Sequence, residues 1–395
     1  NISNSVDNRF QNTNILTYDN TVGAHHITFT GVIENIFSNS TGNSMRGQDF
    51  LVDQLGFHNM DGAKSVSVDS WFSERSLLSY MGRINYGLFD KYLLTASYRA
   101  DGSSVFGENN KWGYFPSGSL AWRISQEGFL KDSEVITDLK LRASYGVTGN
   151  QGISPYGSLA RLGSGEWYRY PYNNGHNLDL GFGLSDISNP ELKWETTKQT
   201  DIGVDVSLFK GRLTSTFDVY RKVTDDLLMP RQLPDYVGVG SVIANIGSIE
   251  NKGLEILIGG DPIVGKFRWN TSFNISMNRN KILDLGEGIK EIGYTPTSGG
   301  YGLAEEYMML RVGEPFGLIE GYKWLGLWGA DEDAEARSFG QLPGLDKYAD
   351  LSGPDGVPDG MIDSYDKTTI GNGYPDFNWG FTNLFTYKGI ELSFL

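Results

Sequence analysis

The chain has 395 residues, a formal net charge of −15 and no cysteine. The acidic balance excludes a protein that tracks nucleic-acid phosphates, whose surface must be basic. The lack of cysteine excludes little, since cytosolic enzymes and envelope proteins can both do without disulfides.

Aromatic residues make up 13 % and glycines number 51, a mixture that favours strands and turns over helices. No apolar run reaches the length of about 18 residues that a membrane-crossing helix needs. The opening Asn1–Phe10 has neither the basic nor the apolar region of a signal peptide. In chain order, a weak strand is expected near Asn12 to Tyr18. Ile27, Phe29, Gly31 and Ile33 then alternate with His26, Thr28, Thr30 and Val32. Leu78, Tyr80, Gly82, Ile84 and Tyr86 alternate with Ser79, Met81, Arg83 and Asn85, and Tyr92, Leu94, Ala96 and Tyr98 oppose Thr95, Ser97 and Arg99. The same pattern recurs around Leu120, Leu141, Val204, Phe217 and Ile256. It is fullest in Phe267–Asn280, where Phe267, Trp269, Thr271, Phe273, Ile275 and Met277 take one parity and Arg268, Asn270, Ser272, Asn274, Ser276 and Asn278 the other. A last hairpin begins at Phe377, Trp379 and Phe381 and ends in Ile390–Leu395. Period two means strands with one apolar and one polar face, about twelve in all.

Short links (19–23, 88–90, 125–136, 210–211, 261–266, 388–389) alternate with long ones (35–76, 101–114, 149–198, 224–251, 279–376). In an antiparallel sheet this puts tight turns at one end and large loops at the other. That is the layout of an outer-membrane barrel with long extracellular loops. A soluble β-sandwich, acting as an adhesin or carbohydrate-binding module, also alternates apolar and polar residues. Three features favour the all-β transmembrane barrel. The strands have the roughly 9–11 residues of a tilted bilayer crossing. Tyr86, Tyr92, Tyr98, Trp122 and Trp269 sit near strand ends as aromatic girdles do. Arginine and lysine keep to the polar parity of these strands, where a lumen solvates them.

The spacing of Asp355–Asp366 matches a twelve-residue calcium loop. Asp355 takes the first position, Asp359 the fifth, Gly360 the sharp turn, Met361 offers a carbonyl, and Asp363 and Asp366 take the ninth and twelfth. Val357 stands where a ligand belongs and Asp366 is shorter than the usual glutamate, so the expected structural Ca²⁺ is weakly held, and no cofactor is required. His25, His26, His58 and His176 lack zinc spacing. No catalytic motif is present and no enzyme activity is expected. A glycosidase pair needs a separation that sequence does not show. Two aromatic-rich stretches, with Trp167, Tyr168 and Tyr170 in one and Trp324 and Trp328 in the other, could stack on a sugar or peptide. Equally, they could pack loops against each other or against a partner.

Several segments carry a family resemblance: "YGLFDKYLLTASYRADGSSVFGENNKWGYFPSGSLAWRISQEGFL", "LKLRASYGVTGNQGISPYGSL", "NPELKWETTKQTDIGVDVSLFKGRLTSTFDVYRKVTDDLL", "NIGSIENKGLEI" and "TIGNGYPDFNWGFTNLFTYKGIELSFL". In this order they resemble the SusC/RagA family of TonB-linked outer-membrane transporters of Bacteroidetes. The resemblance implies a barrel of the plugged 22-stranded type, of which residues 1–395 would be about half, from its middle and later part. No plug or TonB box is recognisable in the segment, and it ends inside a strand pattern at Glu391–Leu395. A complete twelve-stranded barrel is the rival expectation. The resemblance further implies active import of oligosaccharides or peptides across the outer membrane of a Gram-negative cell. A SusD-like surface lipoprotein would serve as lid, TonB–ExbB–ExbD would act through a plug, and membrane lipid would surround the barrel. A passive porin is the functional alternative.

Overall fold

The computed structural model describes residues 1–395 except 53, 55, 165–167, 173–176, 180, 287 and 295–306. Twelve strands form one sheet: β1 (Ile2–Val22), β2 (His25–Phe50), β3 (Ala63–Leu88), β4 (Tyr92–Ser103), β5 (Trp112–Arg123), β6 (Ile136–Asn150), β7 (Glu195–Leu208), β8 (Leu213–Asp225), β9 (Ser248–Ile263), β10 (Phe267–Asp284), β11 (Asn378–Tyr387) and β12 (Ile390–Phe394). Each pairs antiparallel with its neighbours in chain order. β1 pairs only with β2 and β12 only with β11, so the sheet is open and a closed twelve-stranded barrel is not formed. Among the described residues no helix is long and apolar enough to cross a membrane.

The tight turns fall at one end, as expected, but the other end differs from the sequence reading. The expected strand at Asn12–Tyr18 is in fact 21 residues long, and β2 and β3 each have 26. Most of the expected loop 35–76 is therefore strand, with Ser40 opposite Ser73 and Asn43 opposite Ser70. Residues 38–48 are polar or glycine on both parities except for Met45, so alternation is blind to them, whereas the backbone ladder needs no apolar face. At about 3.3 Å per residue β2 is about 85 Å long, well beyond the roughly 30 Å hydrocarbon core. Its far end stands in water. The long connections also carry structure of their own. Residues 284–377 hold a four-stranded sheet of Glu291–Tyr294, Met308–Arg311, Leu318–Tyr322 and Lys367–Asn372, a hairpin of Trp324–Leu327 with Asp346–Tyr348, and a helix at Asp333–Ser338.

The apolar parity forms one continuous outward face. Phe273 lies beside Trp379, and Phe385 stacks between Trp269 and Phe394. Near the tight turns Tyr92 stacks on Trp122 at 6.5 Å, and both donate to Glu127, as Lys91 does. About 20–33 Å up the strands a second aromatic row pairs Tyr98 with Tyr114 and Tyr80 with Trp112. Two rings of aromatic side chains enclosing an apolar band are what a bilayer demands.

Among the described residues a core of five buried side chains lies at the long-loop end of the sheet. Val105, Phe106, Phe115, Leu192 and Trp194 are buried together. They join the β4–β5 connection, β5 and the β6–β7 connection. The quoted segments "SSVFGENNKWGYF" and "NPELKW" meet here, a convergence that reading them as separate loops did not anticipate.

Candidate functional site

The polar parity of β6 to β10 builds a wall on the opposite face. Arg142 on β6 donates from Nε and Nη2 to the two oxygens of Asp205 (2.8 and 3.0 Å) and from Nη2 to Asp218 Oδ1 (2.8 Å). The guanidinium thus spans three strands. It crosses directly over Gly203, where a Cβ would lie 2.6 Å from Nη2 and 2.1 Å from Asp218 Oδ1. Bidentate geometry makes this a rigid brace. A second brace ties β2, β3 and β4, with Arg99 donating to Asp101 at 2.8 Å and to Ser79 at 3.0 Å, and lying 3.5 Å from Glu34.

Above the first brace amide side chains join Asp201 and Lys222 on the wall. Asn278 Nδ2 donates to Asn251 Oδ1 at 3.0 Å, and the Tyr220 hydroxyl donates to Asn278 Oδ1 at 3.2 Å. Tyr220 reaches it by lying flat over Gly253, whose absent Cβ would stand 2.3 Å from the ring. Asn280 accepts the Phe316 backbone N–H. Asn251 and Asn278 line two cavities at once. One, of about 640 Å³, opens on Arg142, Asp201, Asp218 and Glu255. The other, of about 370 Å³, is walled by Met229, Leu310, Phe316 and Tyr374, with the last two rings edge to face at 5.7 Å. Amide groups beneath an aromatic and aliphatic roof suit a ligand with apolar faces and peptide or hydroxyl edges.

The aromatic candidates do not form one site. Trp167 lies outside the described residues. Tyr168 is half-buried against Gly163 and Gly183, and Tyr170 is exposed. Trp324 is exposed, with its indole donating to Asp346 at 3.0 Å. Trp328 is the correction. It is only 4 % exposed, covered by Lys347 Nζ at 4.2 Å from the ring centre and flanked by Phe339. Its ring holds the loop together and offers no face to a ligand. Sequence reasoning missed the amide wall because it treated Asn278 only as polar parity and left Asn251 and Asn280 in the long links 224–251 and 279–376. The signal was there in the unbroken row of asparagines and serines in β10.

The acidic loop is held by backbone donors. Asp366, fully buried, accepts N–H bonds from Leu351 (2.6 Å), Asp363 (2.8 Å) and Ser352 (3.2 Å). Asp359 accepts from Met361 and Asp363 from Tyr365, while Asp350 receives the Gly360 N–H at 2.7 Å. Among the described residues no group of three or more histidine or carboxylate side chains is arranged to hold a metal ion. Asp355, Asp359, Met361, Asp363 and Asp366 therefore make no preformed cage. Burial acts to raise the Asp366 pKa, but the three backbone donors outweigh it and hold the carboxyl below its usual 3.8. Because the folded value is the lower one, the full contribution is present above about pH 4 and fades as pH falls through the folded pKa. Asp366→Asn should weaken this loop by about 1–3 kcal/mol, since an NH₂ then faces backbone N–H groups. Faster protease cleavage within residues 350–366 at pH 7 is the expected reading; an unchanged rate would refute the role.

The β-barrel model of the TonB-dependent receptor-like family matches residues 1–384. The TonB-dependent receptor P3 of Formosa agariphila is 39% identical over 385 residues, covering 96% of this chain and 37% of that receptor. The TonB-dependent receptor SusC of Bacteroides thetaiotaomicron is 34% identical over 340 residues, covering 84% of this chain and 32% of that one. The chain thus spans under two-fifths of the length of these relatives. Among solved structures, that of the RagAB peptide transporter superposes with a TM-score of 0.80 at 24% identity, over 99% of this chain and 41% of its own, which shows the shared fold. These relatives are receptors and transporters rather than enzymes, as the sequence reading expected.

Proposed function

The chain belongs to the TonB-dependent receptor family of outer-membrane β-barrels, and from that premise we propose that its inner wall forms part of the path of an actively imported oligosaccharide or peptide. One observation carries the reading. The paired cavities joined by Asn251 and Asn278 lie on the face turned away from lipid, at the mouth, where a solute must pass. Amide side chains donate and accept at once, so they can pair with a peptide backbone or with sugar hydroxyls without fixing a charge. Exposed Tyr170 and Trp324 would add stacking from the loops. A SusD-like lipoprotein closing the mouth, and TonB–ExbB–ExbD driving import through a plug, complete the proposal.

The test uses the receptor that carries this chain, in cells grown on a panel of oligosaccharides and peptides as sole carbon source. Asn251→Leu with Asn278→Leu should lower uptake of the supporting solute by about tenfold, the worth of two amide hydrogen bonds, at unchanged receptor level. Uptake unaltered by these changes would overturn the site, and uptake that survives loss of TonB would make the barrel a passive pore.

Calcium at Asp355–Asp366 is a separate proposal, supported by the residue spacing. An ion would have to draw Asp359 and Asp363 away from their backbone donors, which suits only weak binding, with Kd about 10⁻⁴–10⁻³ M. Equal protease cleavage of the loop in millimolar calcium and in chelator would end it.

A further inference from the structure

The outward face of β7 to β10 changes character abruptly near the mouth. Ile202, Val219, Leu254 and Met277 stand side by side across the four strands. Two residues further along each strand stand Thr200, Arg221, Lys252 and Arg279, also side by side. The next rung holds Lys198, Val223, Glu250 and Lys281. An apolar row thus lies directly beneath a basic one, and together they line a shallow groove of about 570 Å³. From Phe267 at the tight-turn end to Arg279 the strand runs about 40 Å, or about 30 Å of height at a tilt near 45°. The basic row therefore sits where hydrocarbon gives way to headgroups.

These cations are not explained by their carboxylate partners alone. Glu250, on the same outward face one rung further along and with a side chain 9% exposed, bridges Arg221 Nε at 2.6 Å and Lys252 Nζ at 2.7 Å, and leaves both basic groups about 60 % exposed. Arg279 meets Asp376 at 2.9 Å and Lys198 meets Asp225 at 3.0 Å. Five cations against three carboxylates leave a positive excess, on a chain whose net charge is −15. The groove faces the membrane and not the solute path, so its occupant is a membrane component.

We propose that this groove binds a phosphate-bearing lipid of the outer leaflet, with an acyl chain along Ile202, Val219, Leu254 and Met277 and the phosphate between Arg221, Lys252 and Arg279. Arginine recognises phosphate through a planar fork and lysine as a point charge, and here the buried Glu250 holds one of each in place. Basic residues at a membrane surface favour anionic lipid.

The experiment is native mass spectrometry of the receptor carrying this chain, titrated with phosphatidylglycerol or phosphatidylcholine. The wild type should retain phosphatidylglycerol at least about tenfold better. Arg221→Gln, Lys252→Gln and Arg279→Gln together should erase that preference while the barrel keeps its heat-modifiable mobility. Glycerol phosphate, which lacks acyl chains, should not compete. Equal retention of both lipids by the wild type would overturn the proposal, as would competition by glycerol phosphate. A triple variant that keeps its lipid preference but loses a protein partner or a second copy would show the face to be a protein interface instead.

Discussion

Replacing Phe273 with arginine is expected to block membrane assembly, whereas Asn274→Arg, one residue along β10, is expected to assemble at near wild-type yield. The two positions share a strand, a height and a backbone environment, and differ only in the face they present. Phe273 lies opposite Phe381 and Ile258 and against the Trp379 ring, within the apolar band. An arginine there costs about 2–4 kcal/mol at the bilayer midplane, and it also removes the ring contact with Trp379. Asn274 is exposed on the polar face above Gly380, where a longer side chain extends into a wet interior. The measurement is the fraction of heat-modifiable receptor in purified outer membranes. Equal yields for both variants would remove the assignment of faces on which the site and the lipid groove both depend.

The second large effect is expected at Trp194, in the core at the long-loop end. Its indole packs on Phe106 at 4.8 Å and edge-on to Phe115 at 5.4 Å, and donates to the Lys111 carbonyl at 3.0 Å. Trp194→Ala should cost this unit about 3–5 kcal/mol, the usual range for a large aromatic truncated in a core. The Lys111 carbonyl loses its donor as well. The loss is expected to stay local, because the sheet below is held by its own ladder. Residues 104–111 and 187–194 should become sensitive to protease while the barrel remains heat-modifiable. Trp194→Phe, which keeps ring contact and loses only the hydrogen bond, should fall between. Unchanged protease resistance of Trp194→Ala would show that these connections are held by something other than this core.

In the candidate site, what could be read from sequence was composition by face. The row from Arg268 to Asn278 is polar at every second position, and the structure places it on the inner wall. What could not be read was which of those residues meet. Asn278 finds Asn251 and Tyr220 on two other strands, and Arg142 finds Asp205 and Asp218 on two more. Spacing also misdirected. Asp366 fits the last position of a calcium loop, yet its oxygens are taken by backbone N–H groups from residues as far back as Leu351. Trp328 looks like a ligand platform beside Trp324, yet Lys347, brought in by a hairpin, covers it.

The sequence by itself determined the class of fold, the faces of the strands that alternate and the end that carries the tight turns, because a two-residue period and turn chemistry are local properties of the chain. Tertiary structure alone decided how far β2 and β3 run beyond the membrane, that the connections after β4 and β6 share a core, and that Arg221, Lys252 and Arg279 stand in one row. Each of these depends on register between strands distant in the chain. Register is set by pairing, and a slip of a single residue would turn every side chain to the other face.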